Sequence, residues 1–296
     1  MSDEVLVIGG GIAGIQCSLD LANAGVKVVL VEKTPTIGGK MAILDKNFPT
    51  LDCSICIEAP KMSEVGKHPN IELLTLAEVI NVDKDGEDYI VEIYQKPRYV
   101  TDECSRCGLC VDACPVLLKN EFDYGMAARK AIYTPIPQSE PGAYVIDIDN
   151  CLNKPPNYLP CDRCIQVCGP KCIDFFMKPK IIKKKVKAII VATGFEVFDA
   201  TKIPDYSYGL HPDILTSMEY ERLLQSTGPS GGEIIKPSNG HHPESILFVL
   251  CVGSRDPRYH KYCSRFCCMY TIKQAVQTIE HGIKNVDILY MDIRAY

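Results

Sequence analysis

The amino-terminal segment contains a strand, a glycine-rich turn, a helix and a second strand in direct succession. It reads EVLVIGGGIAGIQCSLDLANAGVKVVLVEK, and the β-rich run over residues 5–8 is followed by the pattern G-x-G-x-x-G. A helical stretch over residues 15–24 leads to a second strand over residues 26–31. Parallel strands joined by a helix bury both faces of their sheet, so this order predicts an α/β fold of the Rossmann type.

Each glycine of this pattern has its own role in binding a dinucleotide. Gly9 permits a tight turn, Gly11 lets the backbone approach a pyrophosphate, and Gly14 lets helix and strand pack closely. The helix N-terminus around Ala13 supplies N–H groups and positive dipole for the phosphates. Glu32, at the end of the second strand, can accept hydrogen bonds from a ribose. The pattern predicts a dinucleotide site rather than an ordinary turn.

Two further segments favour FAD as this dinucleotide. The loop KTPTIGGKMA carries a glycine pair, as in flavoproteins with two dinucleotide-binding domains, where it reaches the diphosphate and ribityl groups. The later strand VKAIIVATGFE ends in A-T-G, which closes the FAD site in the same class of protein. The candidate cofactor-binding residues are Gly9, Gly11, Ala13, Gly14, Glu32, Lys33, Gly38, Gly39, Lys40, Met41, Val79, Ala192, Thr193 and Gly194.

The sixteen cysteines indicate metal or redox chemistry. The amino terminus has no signal-peptide pattern, and no apolar run reaches the roughly 18 residues of a membrane span. We therefore expect a cytoplasmic protein without a transmembrane segment, in a compartment that disfavours disulfides. The net charge of -5 argues against nucleic acid as a partner.

Eight of these cysteines form two runs of the ferredoxin type. The first run matches C-x2-C-x2-C-x3-C-P, in which three cysteines ligate one 4Fe–4S cluster and the fourth ligates the other. The second run keeps the x2-x3 ending, but nine residues separate its first two cysteines. Zinc is the alternative metal for cysteines at such spacings. The preferred register places one cluster on Cys104, Cys107, Cys110 and Cys168 and a second on Cys114, Cys151, Cys161 and Cys164. In the competing register Cys172 is a ligand and Cys151 is dispensable; in the preferred register Cys172 is a buried apolar residue.

The order of these motifs predicts three segments. Residues 1–97 form the first part of an FAD-binding domain, and residues 98–180 form an inserted ferredoxin-like α+β domain with two clusters. Residues 181–296 complete the FAD-binding domain and begin a second nucleotide-type unit. In that unit a helix is predicted to place Met269, Ile272, Val276 and Ile279 on one face. The turn before it carries four thiols that suit a third cluster, although adjacent cysteines are rare as ligands: Cys251, Cys263, Cys267 and Cys268.

Three segments resemble the HdrA component of heterodisulfide reductase and its relatives in sulfur metabolism. They are FPTLDCSICIEAPKMSEVGKHPNI, CVGSRDPRYHKYCSRFCCMYTIKQA and ILYMDIRAY, and the resemblance extends over essentially the whole chain. It implies a thioredoxin-reductase-like flavin domain with an inserted ferredoxin domain, and a third cluster beside the flavin on the Cys251 set. It also implies the register that opens at Cys151. Because the chain stops soon after the second strand of the nucleotide unit, the resemblance favours the short forms found with sulfur-oxidising complexes.

The expected function is that of an oxidoreductase component that transfers electrons in a heterodisulfide-reductase-like complex. FAD would convert between two-electron and one-electron chemistry, and the clusters would carry electrons to HdrB-like and HdrC-like partners. Homodimerisation of this chain stays open. Cys53 and Cys56, in LDCSIC, are candidates for a redox dithiol, a cluster ligand pair or structural thiols. The alternatives are an NAD(P)H-dependent disulfide or sulfur reductase that uses these two thiols, and a ferredoxin-like scaffold with a vestigial flavin.

Overall fold

The computed structural model describes residues 4–154 and 161–295, so most of the loop predicted between Cys151 and Cys161 lies outside the described residues. The helices are α1 (Ile12–Asn23), α2 (Ser54–Lys67), α3 (Leu109–Ala113), α4 (Arg163–Gln166), α5 (Ser217–Leu224) and α6 (Cys267–Glu280). The strands are β1 (Glu4–Ile8), β2 (Lys27–Val31), β3 (Ile71–Leu74), β4 (Ala77–Asp85), β5 (Asp88–Gln95), β6 (Leu118–Lys119), β7 (Ala128–Arg129), β8 (Ile132–Tyr133), β9 (Val145–Ile146), β10 (Lys180–Val186), β11 (Ala188–Val191), β12 (Ser245–Val249) and β13 (Asn285–Leu289).

The chain divides into two compact units. The first comprises Met1–Ala42, Ile57–Lys119 and Ala128–Gly194, and the second comprises Ile43–Cys56, Asn120–Ala127 and Phe195–Tyr296. These units group segments by contacts, whereas the division at residues 97 and 180 marks an insertion in the sequence and stays a prediction. No helix of the described residues is long and apolar enough to cross a membrane.

A four-stranded parallel sheet organises the first unit, in the order β11-β1-β2-β3. Strand β11 returns beside β1, with Val5 opposite Ala188, after the whole cysteine-rich segment has intervened. A three-stranded antiparallel sheet, β10-β5-β4, packs its apolar side chains into the same core as β1 and β2. The predicted α/β class with a Rossmann-type sheet and an insertion is confirmed.

The inserted segment builds a small core from two β-hairpins and two short helices. Val100, Ala131, Ile132 and several cysteines are buried together in it. Arg98 joins this segment to the strands that precede it, because its guanidinium donates to Ala143 O at 2.9 Å and to Thr75 Oγ1 at 2.8 Å. Burial lowers the pKa of Arg98 to about 10, and several nearby acidic groups, Asp102 first among them, oppose that shift.

The predicted helix is present as α6, but the face that carries the predicted apolar residues is not the buried one. Val276 is 40% exposed and Ile279 is 55% exposed, whereas Lys273, Gln274 and Gln277 are buried. The reason is a set of polar partners on distant segments of the second unit. Lys273 Nζ pairs with the Glu221 carboxylate, and Gln277 Nε2 donates to Asp45 Oδ2 at 2.6 Å.

This polar network holds the second unit together in place of a purely apolar interface. The side chains of Lys273 and Glu221 are each 2% exposed, and Gln274 Nε2 donates to the same carboxylate at 2.7 Å. The Lys273 ammonium also donates to Lys46 O at 3.0 Å, which fixes residues 43–56 against α6. Buried charges need such partners, because an unpaired one costs several kcal/mol, on the order of 3–5.

Replacement of the buried cation tests this interpretation. We expect Lys273→Met to lower the free energy of unfolding by about 3 kcal/mol, because it leaves the Glu221 carboxylate buried without its cation. The double variant Lys273→Met, Glu221→Leu removes both charges and should lose clearly less. Lys154→Met, at an exposed ion pair with Asp149, should change stability by under about 1 kcal/mol. Urea unfolding followed by circular dichroism measures all three, and equal losses for the single and double variants would contradict the network's importance.

Candidate functional site

The glycine turn lies where β1, β2 and β11 end. Gly9 N–H donates to Val31 O at 2.8 Å, and Ala192 N–H donates to Ile8 O at 2.8 Å. Gly9 has a φ of 109°, and a Cβ there would overlap the Ala192 carbonyl oxygen. The A-T-G segment therefore lies against the glycine turn, at the carboxyl edge where parallel sheets bind ligands.

Gly14 and Gly11 are required for different reasons. A Cβ on Gly14 would overlap the Gly9 carbonyl oxygen, so the fold itself needs glycine there. A Cβ on Gly11 would meet only the Gly39 Cα, at 3.9 Å, and Gly11 has an ordinary φ of -78°. The polypeptide alone would accept a side chain at Gly11. The open space above this residue, at the N-terminus of α1, fits a pyrophosphate.

The glycine pair of the next loop packs onto this turn. Gly38 N–H donates to Gly10 O at 2.7 Å, and Gly38 forms a parallel bridge with Gly11. A Cβ on Gly39 would lie 2.8 Å from the Gly11 Cα. Both glycine segments thus line the same site. Lys40 and Met41 directly follow the second segment. Such an arrangement suits a cofactor that contacts both loops, as the FAD hypothesis requires.

Glu32 links the two loops through its carboxylate. Oε2 accepts from Gly10 N–H at 2.7 Å, Oε1 accepts from Thr34 N–H at 2.8 Å, and the residue is 8% exposed. Each oxygen keeps a second lone pair that a ribose hydroxyl could use. The other predicted cofactor residues are placed as follows: Val79 packs against the sheet core, and Lys33, Thr193 and Gly194 are exposed.

Glu58 is a candidate that sequence reasoning missed. It is 0% exposed, both of its carboxylate oxygens lack a partner among the residues that the structure describes, and burial raises its pKa to about 8. Met62, one turn later on α2, would be 3.3 Å from a Cβ on Gly38, so this helix face is directed toward the glycine loops. An unpartnered buried carboxyl fits a further polar ligand here. The sequence feature that could have indicated Glu58 is an acidic residue on the otherwise apolar side of a helix.

The inserted segment brings the predicted cluster ligands together in two sets. The first cavity is lined by Cys114, Cys151, Cys161 and Cys164. The second cavity is lined by Cys104, Cys107, Cys110 and Cys168, and also by Cys172. A cavity between four thiols suits a multi-atom cluster. In the described residues, no group of three or more His, Cys, Asp or Glu side chains converges on one metal ion.

The pKa values of two of these thiols depend on their burial and on the neighbouring thiols of the same set. Burial and the neighbouring Cys104 and Cys107 raise the pKa of Cys110 to about 11. Burial and the neighbouring Cys151 and Cys161 raise the pKa of Cys164 to about 12. Because the thiolate is the ligand form, binding of a cationic cluster at these thiols would release their protons to solvent.

Cys172 lies closer to the cysteine set of Cys104 than the spacing indicated. Its Sγ is 3.4 Å from Cys168 Sγ, and the residue is 5% exposed. It is buried, as predicted, but it shares the cavity of the Cys104 set. The assignment of Cys168 as the ligand and Cys172 as the spare thiol stays a prediction.

The third set surrounds the start of α6. Cys267 and Cys268 begin the helix and are packed with Cys251, which follows β12. The intervening loop folds back, because Ser264 N–H donates to Ser254 Oγ at 3.2 Å and Ser254 N–H donates to Cys251 O at 3.1 Å. This fold returns the segment with Cys263 toward Cys251.

A positively charged side chain and the N-terminus of a helix lie beside this third set of cysteines. Burial raises the pKa of the Cys251 thiol, and the Arg255 guanidinium opposes that rise. Cys267 and Cys268 lie at the N-terminus of α6, which is the positive end of the helix dipole.

Cys53 and Cys56 form a disulfide at the start of α2. A reducing compartment disfavours disulfides, so none was expected, but the structure contains this one. Of the three uses considered for the two thiols, cluster ligation would require this bond to be open.

The glycine positions allow the cofactor and the fold to be tested separately. Gly11→Ala should fold with nearly unchanged stability but lose most of its FAD, because the new methyl group occupies the space proposed for the pyrophosphate. Gly14→Ala should lose stability itself, since its Cβ overlaps a backbone oxygen. Flavin absorbance per chain and the thermal unfolding midpoint measure the two effects. Full flavin content in a folded Gly11→Ala protein would contradict the assignment.

Serine variants decide the ferredoxin register. Cys172→Ser should keep the full iron content, whereas Cys151→Ser and Cys168→Ser should each damage one cluster. The physical reason is that the x2-x3 turn wraps one cluster and delivers its last thiol to the other. Iron analysis of the anaerobically purified variants is the measurement. Iron loss in Cys172→Ser with none in Cys151→Ser would establish the competing register.

Comparison with known proteins agrees with both kinds of site. Residues 4–44 match the family model of FAD dependent oxidoreductases, and residues 97–117 match the 4Fe-4S binding domain. A thioredoxin reductase of Streptococcus pyogenes is similar in structure, with 22% identity over 31% of each chain and a TM-score of 0.26.

Similarity over the whole chain is found with larger proteins. The HdrA iron-sulfur component of CoB–CoM heterodisulfide reductase from Methanocaldococcus jannaschii is 49% identical over 98% of this chain and 44% of its own length. The HdrA component of the H2:CoB-CoM heterodisulfide,ferredoxin reductase from Methanothermobacter marburgensis is 47% identical over 100% of this chain and 44% of its own length. The chain thus spans less than half the length of these relatives. Over the part that it shares with them, the chain is similar to the HdrA components of heterodisulfide reductases.

Proposed function

We propose that this chain is the flavin and iron–sulfur electron-transfer component of a heterodisulfide-reductase-like complex. The observation that carries the proposal is the pair of cysteine-lined cavities in the inserted segment. They lie in the same compact unit as the glycine cradle, by which we mean residues 9–14 and the glycine pair at residues 38–39. Thiols grouped in that number suit 4Fe–4S clusters, whose chemistry is electron transfer.

The names of the relatives supply the substrate class. They are reductases of a CoB–CoM heterodisulfide, and one of them also names ferredoxin. By analogy, this chain would exchange electrons with HdrB-like and HdrC-like partners, with the disulfide chemistry on a partner. A cytoplasmic location and a role in sulfur or thiol metabolism belong to the same proposal, as does any homodimer of this chain.

The residues of the glycine cradle have binding and orienting roles. The N–H groups at the start of α1 would bind the FAD pyrophosphate, and Glu32 would orient the ribose while holding the two glycine loops together. FAD, when bound, exchanges electrons in pairs or singly, which matches the one-electron chemistry of iron–sulfur clusters. Glu58, neutral at its raised pKa, could donate a hydrogen bond to a polar group in this region.

A third cluster on the Cys251 set is the finer part of the proposal. Its support is the packing of Cys251 with Cys267 and Cys268 and the return of the loop that carries Cys263. Arg255 and the positive end of α6 would stabilise the thiolate ligands and the electron that such a cluster accepts. Three clusters correspond to about twelve irons per chain.

Iron content tests the number of clusters. Cys267→Ser should lower the iron from about twelve to about eight atoms per chain and leave the spectra of the ferredoxin-type clusters intact. Cys17→Ser, on α1 and outside the three sets, is the matched control and should lose no iron. Anaerobic iron and sulfide analysis with electron paramagnetic resonance gives the result. About eight irons in the unaltered protein would refute the third cluster, and stoichiometric zinc would refute the electron-transfer function.

A further inference from the structure

The Cys53–Cys56 disulfide is a redox group that the proposed function does not use. These two cysteines are bonded, whereas the fourteen other cysteines of the chain are free. Proximity alone does not explain the difference, because Cys168 and Cys172 are unbonded with their sulfurs 3.4 Å apart. The pair therefore has its own local cause.

A structural role is a weak explanation for this bond. The stabilisation from a cross-link grows with the length of the loop that it closes, and this one joins residues only three apart. The adjoining loop is held without it: Cys53 forms an antiparallel bridge with Lys46, and Ser54 N–H donates to Asp45 O at 3.1 Å. Ser54 Oγ also donates to Asn47 Oδ1 at 2.9 Å. The backbone should keep its path when the disulfide is reduced.

The two sulfurs have unequal environments. Cys53 directly precedes the first residue of α2, and its Sγ accepts the Cys56 N–H at 3.3 Å. This hydrogen bond and the positive end of the helix both stabilise a thiolate on Cys53, and the first helical turn has no acidic residue to oppose them. Cys56 is exposed and Cys53 is half-buried. An external thiolate therefore reaches Cys56 first, and Cys53 is the better leaving group.

The loop before the disulfide is fixed to the helix that begins with the third cysteine set. Lys46 O accepts from Lys273 Nζ at 3.0 Å, and Asp45 accepts from Gln277 at 2.6 Å. Both donors belong to α6, whose first residue is Cys267. The disulfide is thus presented on a rigid, buried framework rather than on an unsupported loop.

We propose that Cys53 and Cys56 form a thiol–disulfide exchange site whose substrate is an external dithiol or disulfide. In the reductive direction, a thiolate of the external dithiol attacks Cys56 Sγ, the Cys53–Cys56 bond breaks, and Cys53 leaves as a thiolate. The second external thiolate then breaks the mixed disulfide, and Cys56 leaves. The external molecule departs as a disulfide, and two electrons and two protons have passed to the cysteine pair. The reverse sequence reduces an external disulfide.

The complete protein, handled anaerobically, provides the first test. It is equilibrated with graded dithiothreitol, its free thiols are alkylated, and the peptide that contains residues 53–56 is weighed by mass spectrometry. We expect two alkylated cysteines to be gained in that peptide with no loss of iron or flavin, and oxidised dithiothreitol should reverse the change. Reduction that occurs only when the protein unfolds or loses iron would overturn the proposal and leave a structural disulfide.

Single variants test the direction of attack. Cys53→Ser leaves the exposed thiol of Cys56 and should form a mixed disulfide with oxidised 2-mercaptoethanol faster than Cys56→Ser does. Cys17→Ser is the control, with unchanged exchange at the pair. Iron loss in either single variant would show that the two residues are cluster ligands and would overturn the proposal. The iron and flavin contents of the unaltered protein separately report on the electron-transfer function, so failure of one does not imply failure of the other.

Discussion

The parallel pairing of β1 with β11 is the interaction on which the arrangement of the first unit depends. Residues 4–8 and 188–191 are far apart in sequence, yet they pair in register and end at the same edge of the sheet. The glycine turn follows one strand and the A-T-G segment follows the other. Because the cysteine-rich segment lies between them in the chain, the same pairing closes the glycine site and keeps both ends of that segment in one compact unit, whereas residues 120–127 belong to the other unit. The site is therefore a product of long-range strand order, and its local motifs alone would not assemble it.

Local geometry explains which features could be predicted from the sequence. The G-x-G-x-x-G turn has one workable backbone path, so the roles of Gly9 and Gly14 followed from the pattern, as did the strands around them. Cysteine spacing likewise limits which thiols can meet, and the two predicted sets do line separate cavities. The approach of Cys172 to Cys168 was not predictable, because the folding of the chain after the last motif sets it. Glu58 was missed for a related reason: its burial depends on packing between α2 and the glycine loops.

The buried face of α6 is set by a different cause. An apolar stripe at helical spacing normally faces the core, and Val276 and Ile279 follow that rule in sequence. The buried side is instead decided by Glu221 and Asp45, which lie far from the helix in the chain and supply partners for Lys273 and Gln277. A periodicity argument contains no information about such partners. Ion pairs of this kind cost desolvation energy, and they favour one register of α6 because every polar atom must find its own acceptor.

Backbone context separates the uses of cysteine in this chain. In the two four-thiol sets, short turns hold the sulfurs around cavities, and burial with neighbouring thiols favours the protonated form until a bound cationic group displaces the protons to solvent. At α2 the same C-x2-C spacing starts a regular helix, which turns both side chains to one side and leaves them close enough to bond. The helix dipole there stabilises a thiolate without any metal. We therefore expect one spacing to have two uses in this chain, cluster ligation in the inserted segment and two-electron chemistry at the start of α2.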